Sequence, residues 1–299
     1  MEVVAIVVTY NRKELLKVCL ENLKKQTYSL KKIIAVDNFS SDGTINYLNE
    51  INDDLIEIVA LNKNVGGAGG FVNGMQYAMD KYPDAYYWLM DDDGYPKENC
   101  LERLVLGLNK YALDCIAPVQ INIHDREKLS FPIPYYGLNN IVKVSDLPNK
   151  EFIPQAANLF NGLLINKATI NEVGLPREEL FIRGDEVDFT KRMHKKLIRF
   201  GLLLTALFYH PSDMNERIPL FKNKFITRDA HTDFKNYYLF RNRALSFKED
   251  GKKYLIYIDF IRYCYYFFLK KNFDIKGLFL WCRATNDGLK GRLGRHPKY

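Results

Sequence analysis

The first 95 residues repeat one pattern, and it restricts the fold more than any other feature of the chain. Short apolar runs rich in β-branched residues, at positions 3–8, 33–36, 55–60 and 86–90, alternate with stretches of helical character. Between the first two runs, Leu15, Leu16, Cys19, Leu20 and Leu23 recur at spacings near one helical turn and share one face. Strands without polar alternation are buried on both sides. The repetition therefore predicts an α/β fold with a mostly parallel sheet flanked by helices. In such sheets ligands bind beyond the carboxyl ends of the strands. Polar groups stand at those ends here: Thr9-Tyr10-Asn11-Arg12, Asp37-Asn38 and Asp91-Asp92-Asp93. One pocket is expected to collect all three.

The 299 residues are 47% apolar and 26% charged, which excludes a disordered chain, a collagen-like repeat and a disulfide-stapled miniprotein. Cys19, Cys100, Cys115, Cys264 and Cys282 lie far apart, with no C-x-x-C pair and no His at ligand spacing. Free thiols are expected rather than a disulfide framework or structural zinc. The N-terminal run lacks the basic region and small-residue cleavage site of a signal peptide and reads as a buried strand. The most apolar later stretch, 254–269, is interrupted by Asp259 and Arg262 and falls short of the roughly 20 residues that span a bilayer. These features predict a cytoplasmic protein that does not cross a membrane.

Further along, 119–155 is rich in Pro, Asn and charged residues and reads as loops and short strands. Apolar runs at 160–165 and 202–209 read as further core strands, the second ending at His210-Pro211-Ser212. Ile182-Arg183-Gly184-Asp185-Glu186 opens a helix over Val187, Phe189 and Met193. The alternation stops near residue 217, which predicts a domain over 1–216 and a helical, basic and aromatic module over 217–299. The charge divides at the same place. Residues 217–299 hold 19 Lys and Arg against 7 Asp and Glu, a net +12, which leaves −5 on the remainder of a chain of net +7.

Three adjacent carboxylates at the end of an apolar strand repel one another unless a cation neutralises them. Such oxygen ligands suit Mg²⁺ or Mn²⁺ together with substrate phosphates. In an extended segment Asp91 and Asp93 point to one side and Asp92 to the other. The alternative is a solvated acidic turn before Gly94-Tyr95-Pro96. Asn64-Val65-Gly66-Gly67-Ala68-Gly69-Gly70 places glycines before a helix, where backbone amides can approach a phosphate or sugar. A tight turn with close helix–sheet packing accounts for the same residues. Gly184-Asp185-Glu186-Val187-Asp188 sets carboxylates at a helix N-terminus, where they complement the dipole and where one could serve as a general base. His210 is either a structural histidine or a ligand beside the acidic motif. The chain has no G-x-S-x-G, H-E-x-x-H or Walker A sequence, so serine hydrolase, zincin and P-loop readings lack support.

Val7-Val8-Thr9-Tyr10-Asn11-Arg12, Val36-Asp37-Asn38 with Ser40-Ser41-Asp42-Gly43-Thr44, and the Asp-x-Asp element together resemble the nucleotide-sugar half of family 2 inverting glycosyltransferases of the GT-A fold. Within that family, the glycine segment through Phe71, Met90-Asp91-Asp92-Asp93 and Tyr238-Leu239-Phe240-Arg241-Asn242-Arg243 are similar to bacterial galactofuranosyltransferases. The resemblance covers most of the chain, from the first strand to that last motif. It implies a Rossmann-like GT-A domain and one-step inverting transfer from UDP-galactofuranose, with Mn²⁺ or Mg²⁺ on the donor diphosphate held by Asp91, Asp93 and His210. Thr9, Arg12, Asp37, Asn38, Asn64, Gly66, Gly67 and Asp92 would line the nucleotide-sugar site. The catalytic base would come from Asp185-Glu186, with Glu186 favoured; mycobacterial-type members have Asp-Asp there. The chain lacks room for the extra domains of the polymerising mycobacterial enzyme, so addition of one or a few sugars to a bacterial cell-envelope polysaccharide is expected.

Residues 254–281 hold 11 aromatics, flanked by Lys252, Lys253, Lys270, Lys271 and Arg283. That mixture suits the headgroup zone of an anionic bilayer. It predicts a peripheral contact with the inner membrane face and a polyprenyl-diphosphate-linked glycan acceptor. Core helices or an oligomer interface would use the same residues. Two rival readings are a rhamnosyltransferase using dTDP-rhamnose and a non-catalytic nucleotide- or carbohydrate-binding protein. Nucleic acid is not expected as a partner, because the front is acidic and no RNP, helix-turn-helix or zinc-finger pattern is present.

Overall fold

Each early apolar run becomes a strand and each amphipathic stretch a helix: β1 (Val3–Thr9), α1 (Lys13–Lys24), β2 (Lys32–Asp37), α2 (Thr44–Glu50), β3 (Ile56–Ala60), α3 (Gly66–Lys81) and β4 (Tyr86–Asp91). The computed structural model describes residues 1–135, 139–212, 214–221 and 225–299. These form two units, Met1–Pro176 with Phe189–Ser212, and Arg177–Asp188 with Asp213–Tyr299.

In the first unit β1 is buried along its whole length because both faces are covered. Val4, Ile6 and Val8 join Phe71 and Met75 of α3 in one core, while Val3, Ala5 and Val7 join Leu16, Leu20 and Leu23 of α1 in the other. Each such aliphatic side chain contributes about 1.5–3 kcal/mol of transfer free energy. Helix α3 lies close on the sheet. A Cβ at Gly70 would stand 2.5 Å from Val8 Cγ1, and one at Gly74 would stand 2.7 Å from Ile6 Cγ2. Close packing therefore accounts for the later glycines of the run and leaves Gly66 and Gly67 at the start of the helix.

The chain continues through β5 (Tyr95–Pro96), α4 (Cys100–Lys110), β6 (Cys115–Asn122), β7 (Lys128–Tyr135), β8 (Asn139–Lys143), β9 (Phe152–Pro154), β10 (Asn161–Asn166), α5 (Lys167–Val173), α6 (Asp185–Lys195) and β11 (Phe200–His210). The sheet runs β3-β2-β1-β4-β10-β6-β11-β5, with β7 on β6 and β9 on β11. β1 to β4 are mutually parallel, β10 is antiparallel to β4 and β6, and β6 is parallel to β11. The mostly parallel α/β sheet is as expected. The reading of 119–155 as loops and short strands is corrected in part: β6 is a core strand, buried from Cys115 to Ile121, that runs into this stretch. Pro118 conceals it, because proline inside a strand argues against a ladder. It sits where the β6–β11 register shifts, between Leu203 and Leu207, and tolerates the lost donor there. Positions 136–138 of the stretch lie outside the described residues.

The second unit is mostly helical. A hairpin of β12 (Arg217–Leu220) and β13 (Phe225–Arg228) precedes α7 (Asp233–Glu249), α8 (Tyr254–Tyr265), a π-helical turn (Tyr266–Lys270) and α9 (Ile275–Lys290). Its core is aromatic, built on Phe181, Tyr237, Tyr238, Phe240, Tyr263, Tyr266 and Trp281. The segment 177–188, with the Asp185-Glu186 pair, belongs to this unit. No helix among the described residues is long and apolar enough to cross a membrane, and the five cysteines are unpaired.

Candidate active site

In the first unit the carboxyl ends of β1, β2, β4 and β11 meet at one edge of the sheet, and the three polar clusters of the sequence come together there. The backbone N–H of Asn38 donates to Thr9 O at 2.9 Å, joining the first two turns. The buried Thr9 hydroxyl donates to Asp92 Oδ2 at 2.6 Å. Arg12 Nη1 donates to Asp92 Oδ1 at 3.1 Å and to Asp93 Oδ2 at 2.7 Å. Asp37 is buried and accepts the Ser40 N–H with both oxygens, at 3.3 and 3.2 Å.

The repulsion among the three acids is therefore met in part by the protein itself. Burial pushes Asp92 up to about 6 against the pull of Arg12 and Thr9. Burial likewise raises Asp91, reinforced by Asp93 and Asp92. Asp93 goes the other way: burial opposes its charge, and His210 with Arg12 outweighs burial and lowers it. His210 Nε2 lies 3.0 Å from Asp93 Oδ1, yet that buried oxygen receives no aligned hydrogen bond. Nδ1 of the same ring is 2.5 Å from Pro211 O. Burial opposes charge on His210, but Asp93 and the Pro211 carbonyl outweigh it and raise the group, so without a cation the ring holds a proton toward Asp93. With Nδ1–H kept on the Pro211 carbonyl, giving up the other proton would free Nε2 for a cation.

This pair fits a divalent cation, because an imidazole nitrogen and an unsatisfied carboxylate oxygen face one another at the mouth of the sheet. Asp91 does not join them. Among the described residues no three His, Cys, Asp or Glu side chains converge as a ready metal cluster. Gly94 brings Asp93 to His210. A Cβ there would stand 2.4 Å from Phe208 Cε1 and 2.9 Å from Tyr209 O, so any larger residue would lift the acidic turn off β11.

Asn38 organises the glycine segment. Its buried amide accepts the Val65 N–H at 2.9 Å and donates to Gly66 O at 2.9 Å, while Asn64 Oδ1 accepts the Gly66 N–H at 2.8 Å. Gly66 takes a positive φ of 76°, and Gly67 borders open space. The N-terminal amides of the 16-residue helix α3 thus stand at the sheet edge that carries Asp37.

In the second unit Asp185 is buried and Glu186 half-buried at the start of α6, and Glu186 Oε2 accepts the Gly184 N–H at 3.1 Å. The loop before them is strained, since Phe181 and Arg183 take φ of 68° and 63°. Asn242 Nδ2 spans it, donating to Leu180 O, Ile182 O and Arg183 O at 2.9, 2.9 and 2.7 Å. Arg183 also forks onto Glu216 at 2.8 and 2.7 Å.

Sequence reasoning missed four contributors: Arg12 as the cation of the acidic turn, Gly94, Asn242 and Asn161. Asn161 opens β10 opposite Met90, and its buried Oδ1 has no partner. Only Asn242 had a signal in the sequence, as part of the 238–243 motif; the others depend on contacts between distant segments.

The family model described as glycosyl transferase family 2 matches residues 4–159. The chain is 31% identical over 303 residues to the galactofuranosyltransferase GlfT1 of Mycolicibacterium smegmatis, covering 99% of this chain and 97% of that protein. It is 32% identical over 302 residues to GlfT1 of Mycobacterium tuberculosis, covering 99% and 96%. Among solved structures, GalNAc-T7 with UDP, GalNAc and Mn²⁺ superposes with a TM-score of 0.57 at 15% identity, over 71% of this chain and 44% of that one. S. aureus TarS 1-349 in complex with UDP-GlcNAc superposes at 0.52 with 17% identity, over 82% and 66%. These structural likenesses show the GT-A fold. With the family model over more than half its length and relatives matched almost end to end, this chain belongs to glycosyl transferase family 2 and is an enzyme of the hexosyltransferase class, galactofuranosyltransferase-like in sequence.

Proposed function

We propose that this enzyme moves galactofuranose from UDP-galactofuranose to a hydroxyl of a lipid-linked bacterial cell-envelope glycan, by a single inverting displacement that depends on a divalent metal. The near end-to-end likeness to galactofuranosyltransferases carries the choice of donor. The half-buried Asp93 facing the buried His210 supports the metal.

In this reading Thr9, Asp37 and Asn38 hold the nucleoside end, and Asn64, Gly66 and Gly67 present the start of α3 to the diphosphate, whose charge the helix dipole favours. Arg12 and Asp92 fix the turn that carries Asp93. Asp93 and His210 would hold Mn²⁺ or Mg²⁺, joined by Asp91 if its carboxylate turns toward them when the ion binds, and the ion would supply positive charge to the departing diphosphate. Glu186 takes the proton of the acceptor hydroxyl as that oxygen bonds to the anomeric carbon. The bond from that carbon to the diphosphate breaks on the opposite face, and UDP leaves. Glu186 suits the base better than Asp185 because it is less buried. The acceptor is met at the inner face of the cell membrane. Support for this comes from the apolar side chains that α8 and α9 leave in solvent, among them Tyr257, Ile261 and Phe279.

Thermal denaturation with UDP or dTDP, with and without Mn²⁺, followed by a donor panel with product analysis, tests the reading. UDP with Mn²⁺ should raise the melting temperature, and dTDP should not. Stabilisation by dTDP alone would move the donor to dTDP-rhamnose; stabilisation by neither nucleotide would refute the reading.

A further inference from the structure

Within the second unit, α8 and α9 are amphipathic in the wrong sense for a solvated helix. Tyr254, Tyr257, Ile258 and Ile261 share one face of α8 at helical spacing, and all are exposed. Meanwhile Asp259 is buried on the other side, accepting from Arg243 and Arg262. On α9 one stripe begins with Ile275 and Phe279, the latter 71% exposed, and one turn later reaches Arg283. The stripe therefore changes from apolar to cationic along a single helix.

Arg283 stands at a cavity of about 320 Å³ that Arg241, Asp287, Arg292, Arg295 and His296 also line. Its charges do not balance. Asp287 is the one carboxylate of the lining, and it already accepts from Tyr237 at 2.9 Å and Arg292 at 3.1 Å. Arg241 is 1% exposed and spends its guanidinium on the carbonyls of Gly294 and Leu180, at 2.6 and 2.8 Å, and on Asn242 Oδ1 at 2.9 Å, not on a carboxylate. Arg283 and Arg295 are exposed at the cavity with no carboxylate within ion-pair distance among the described residues. Arg283, whose Nη2 lies 3.4 Å from His296 Nε2, and Arg295 thus set two further positive charges beside the buried Arg241, and an anion in the cavity would offset all three. Guanidinium forks match phosphate oxygens in geometry as well as charge.

We infer that this cavity binds the phosphate of a membrane lipid head group, with the apolar face of α8 and the Ile275–Phe279 stripe of α9 seated in the bilayer beside it. An apolar stripe that runs into a cationic cavity matches an amphiphile whose anionic head adjoins its hydrocarbon, and the flanking Lys252, Lys253 and Lys270 favour an anionic surface. The inference deepens the proposed encounter with a lipid-linked acceptor. It is read by binding alone, so its outcome is separate from that of the donor assignment.

The test is flotation of the full chain with phosphatidylcholine vesicles, with and without phosphatidic acid. Three variants accompany the wild type: Arg283→Gln with Arg295→Gln, Tyr257→Ser with Phe279→Ser, and Lys195→Gln with Lys196→Gln. The last removes the same charge from exposed positions of the first unit. Circular dichroism confirms folding, and UDP stabilisation reports the donor assignment independently. The wild type should bind only the vesicles with phosphatidic acid. The arginine pair should lose about tenfold or more and the lysine pair little, because only the arginines line the cavity. The aromatic pair should also weaken binding, and inorganic pyrophosphate should compete. Equal losses in the arginine and lysine variants would overturn the cavity as the site. Stabilisation by pyrophosphate without vesicle binding would make the ligand a soluble anion and overturn the lipid.

Discussion

Replacing Asn242 with alanine should separate the loop before α6 from the helix that holds it. The Asn242 amide donates to three carbonyls of that loop, Leu180, Ile182 and Arg183, and has two protons to share among them. The loop spends free energy on Phe181 and Arg183, two non-glycine residues in the left-handed region at about 1–2 kcal/mol each. Two net hydrogen bonds are worth about 1 kcal/mol apiece, and a stranded buried carbonyl adds about 1–3 kcal/mol. Asn242→Ala should therefore lower the unfolding free energy by about 3–5 kcal/mol, as much as the strain it restrains or more. Relaxation would displace Glu186, and a displacement of about 1 Å costs about a hundredfold in rate. Urea denaturation, steady-state transfer and calorimetric UDP binding read the three consequences: lower stability, lower kcat, and an unchanged Kd for UDP. Asn242→Asp should do no better, since it sets a carboxylate against three carbonyl oxygens. A kcat within twofold of wild type, with stability within about 0.5 kcal/mol, would refute the role.

Removing either member of the facing pair, by Asp93→Ala or His210→Ala, should abolish the Mn²⁺-dependent part of UDP stabilisation, which is at most about 2.7 kcal/mol when UDP is at a hundredfold excess over its Kd with metal. Full stabilisation in both variants would exclude them as ligands. Gly94→Ala should cost about 1–3 kcal/mol in urea denaturation, because its Cβ would meet Phe208 and the Tyr209 carbonyl. Gly67→Ala, with nothing within 4 Å, should stay within about 0.5 kcal/mol, and equal costs would contradict the packing. Asp229 is buried, which would raise its pKa, but Asn236, Lys271, Tyr266 and the His231 N–H outweigh burial and hold it well below the usual carboxylate range. A folded-state pKa below the unfolded one gives stability that is present above about pH 4 and lost as pH falls. The urea midpoint should drop on acidification below that pH, and Asp229→Asn should be less stable at neutral pH with a flatter acid limb; equal acid limbs would contradict the network.

The parallel core was legible because strands buried on two faces leave unbroken apolar runs, as in β1 and β2. The convergence of Thr9, Asp37 and Asp91-Asp92-Asp93 at one edge followed from strand direction alone. β6 was obscured because Pro118 and Gln120 interrupt its apolar run, and only the register shift against β11 makes the proline tolerable. Local repulsion was visible in the acidic triplet, but its neutralisation by Arg12 joins positions 80 residues apart in sequence. No periodicity reports such a contact. The glycine run had two explanations: close packing accounts for Gly70, which sits on Val8, while Gly67 has open space beside it and is left to the other.

The central claim is inverting galactofuranosyl transfer with Glu186 as the base. It is tested most directly by incubating wild type and Glu186→Gln with UDP-galactofuranose, Mn²⁺ and a synthetic lipid-linked acceptor, and reading the anomeric configuration of the product by NMR. Wild type should form a glycoside of configuration opposite to the donor's, and Glu186→Gln should lose transfer by about 10²–10⁴-fold while binding UDP as wild type does. A product that retains the donor's configuration, or undiminished transfer by Glu186→Gln, would contradict the account.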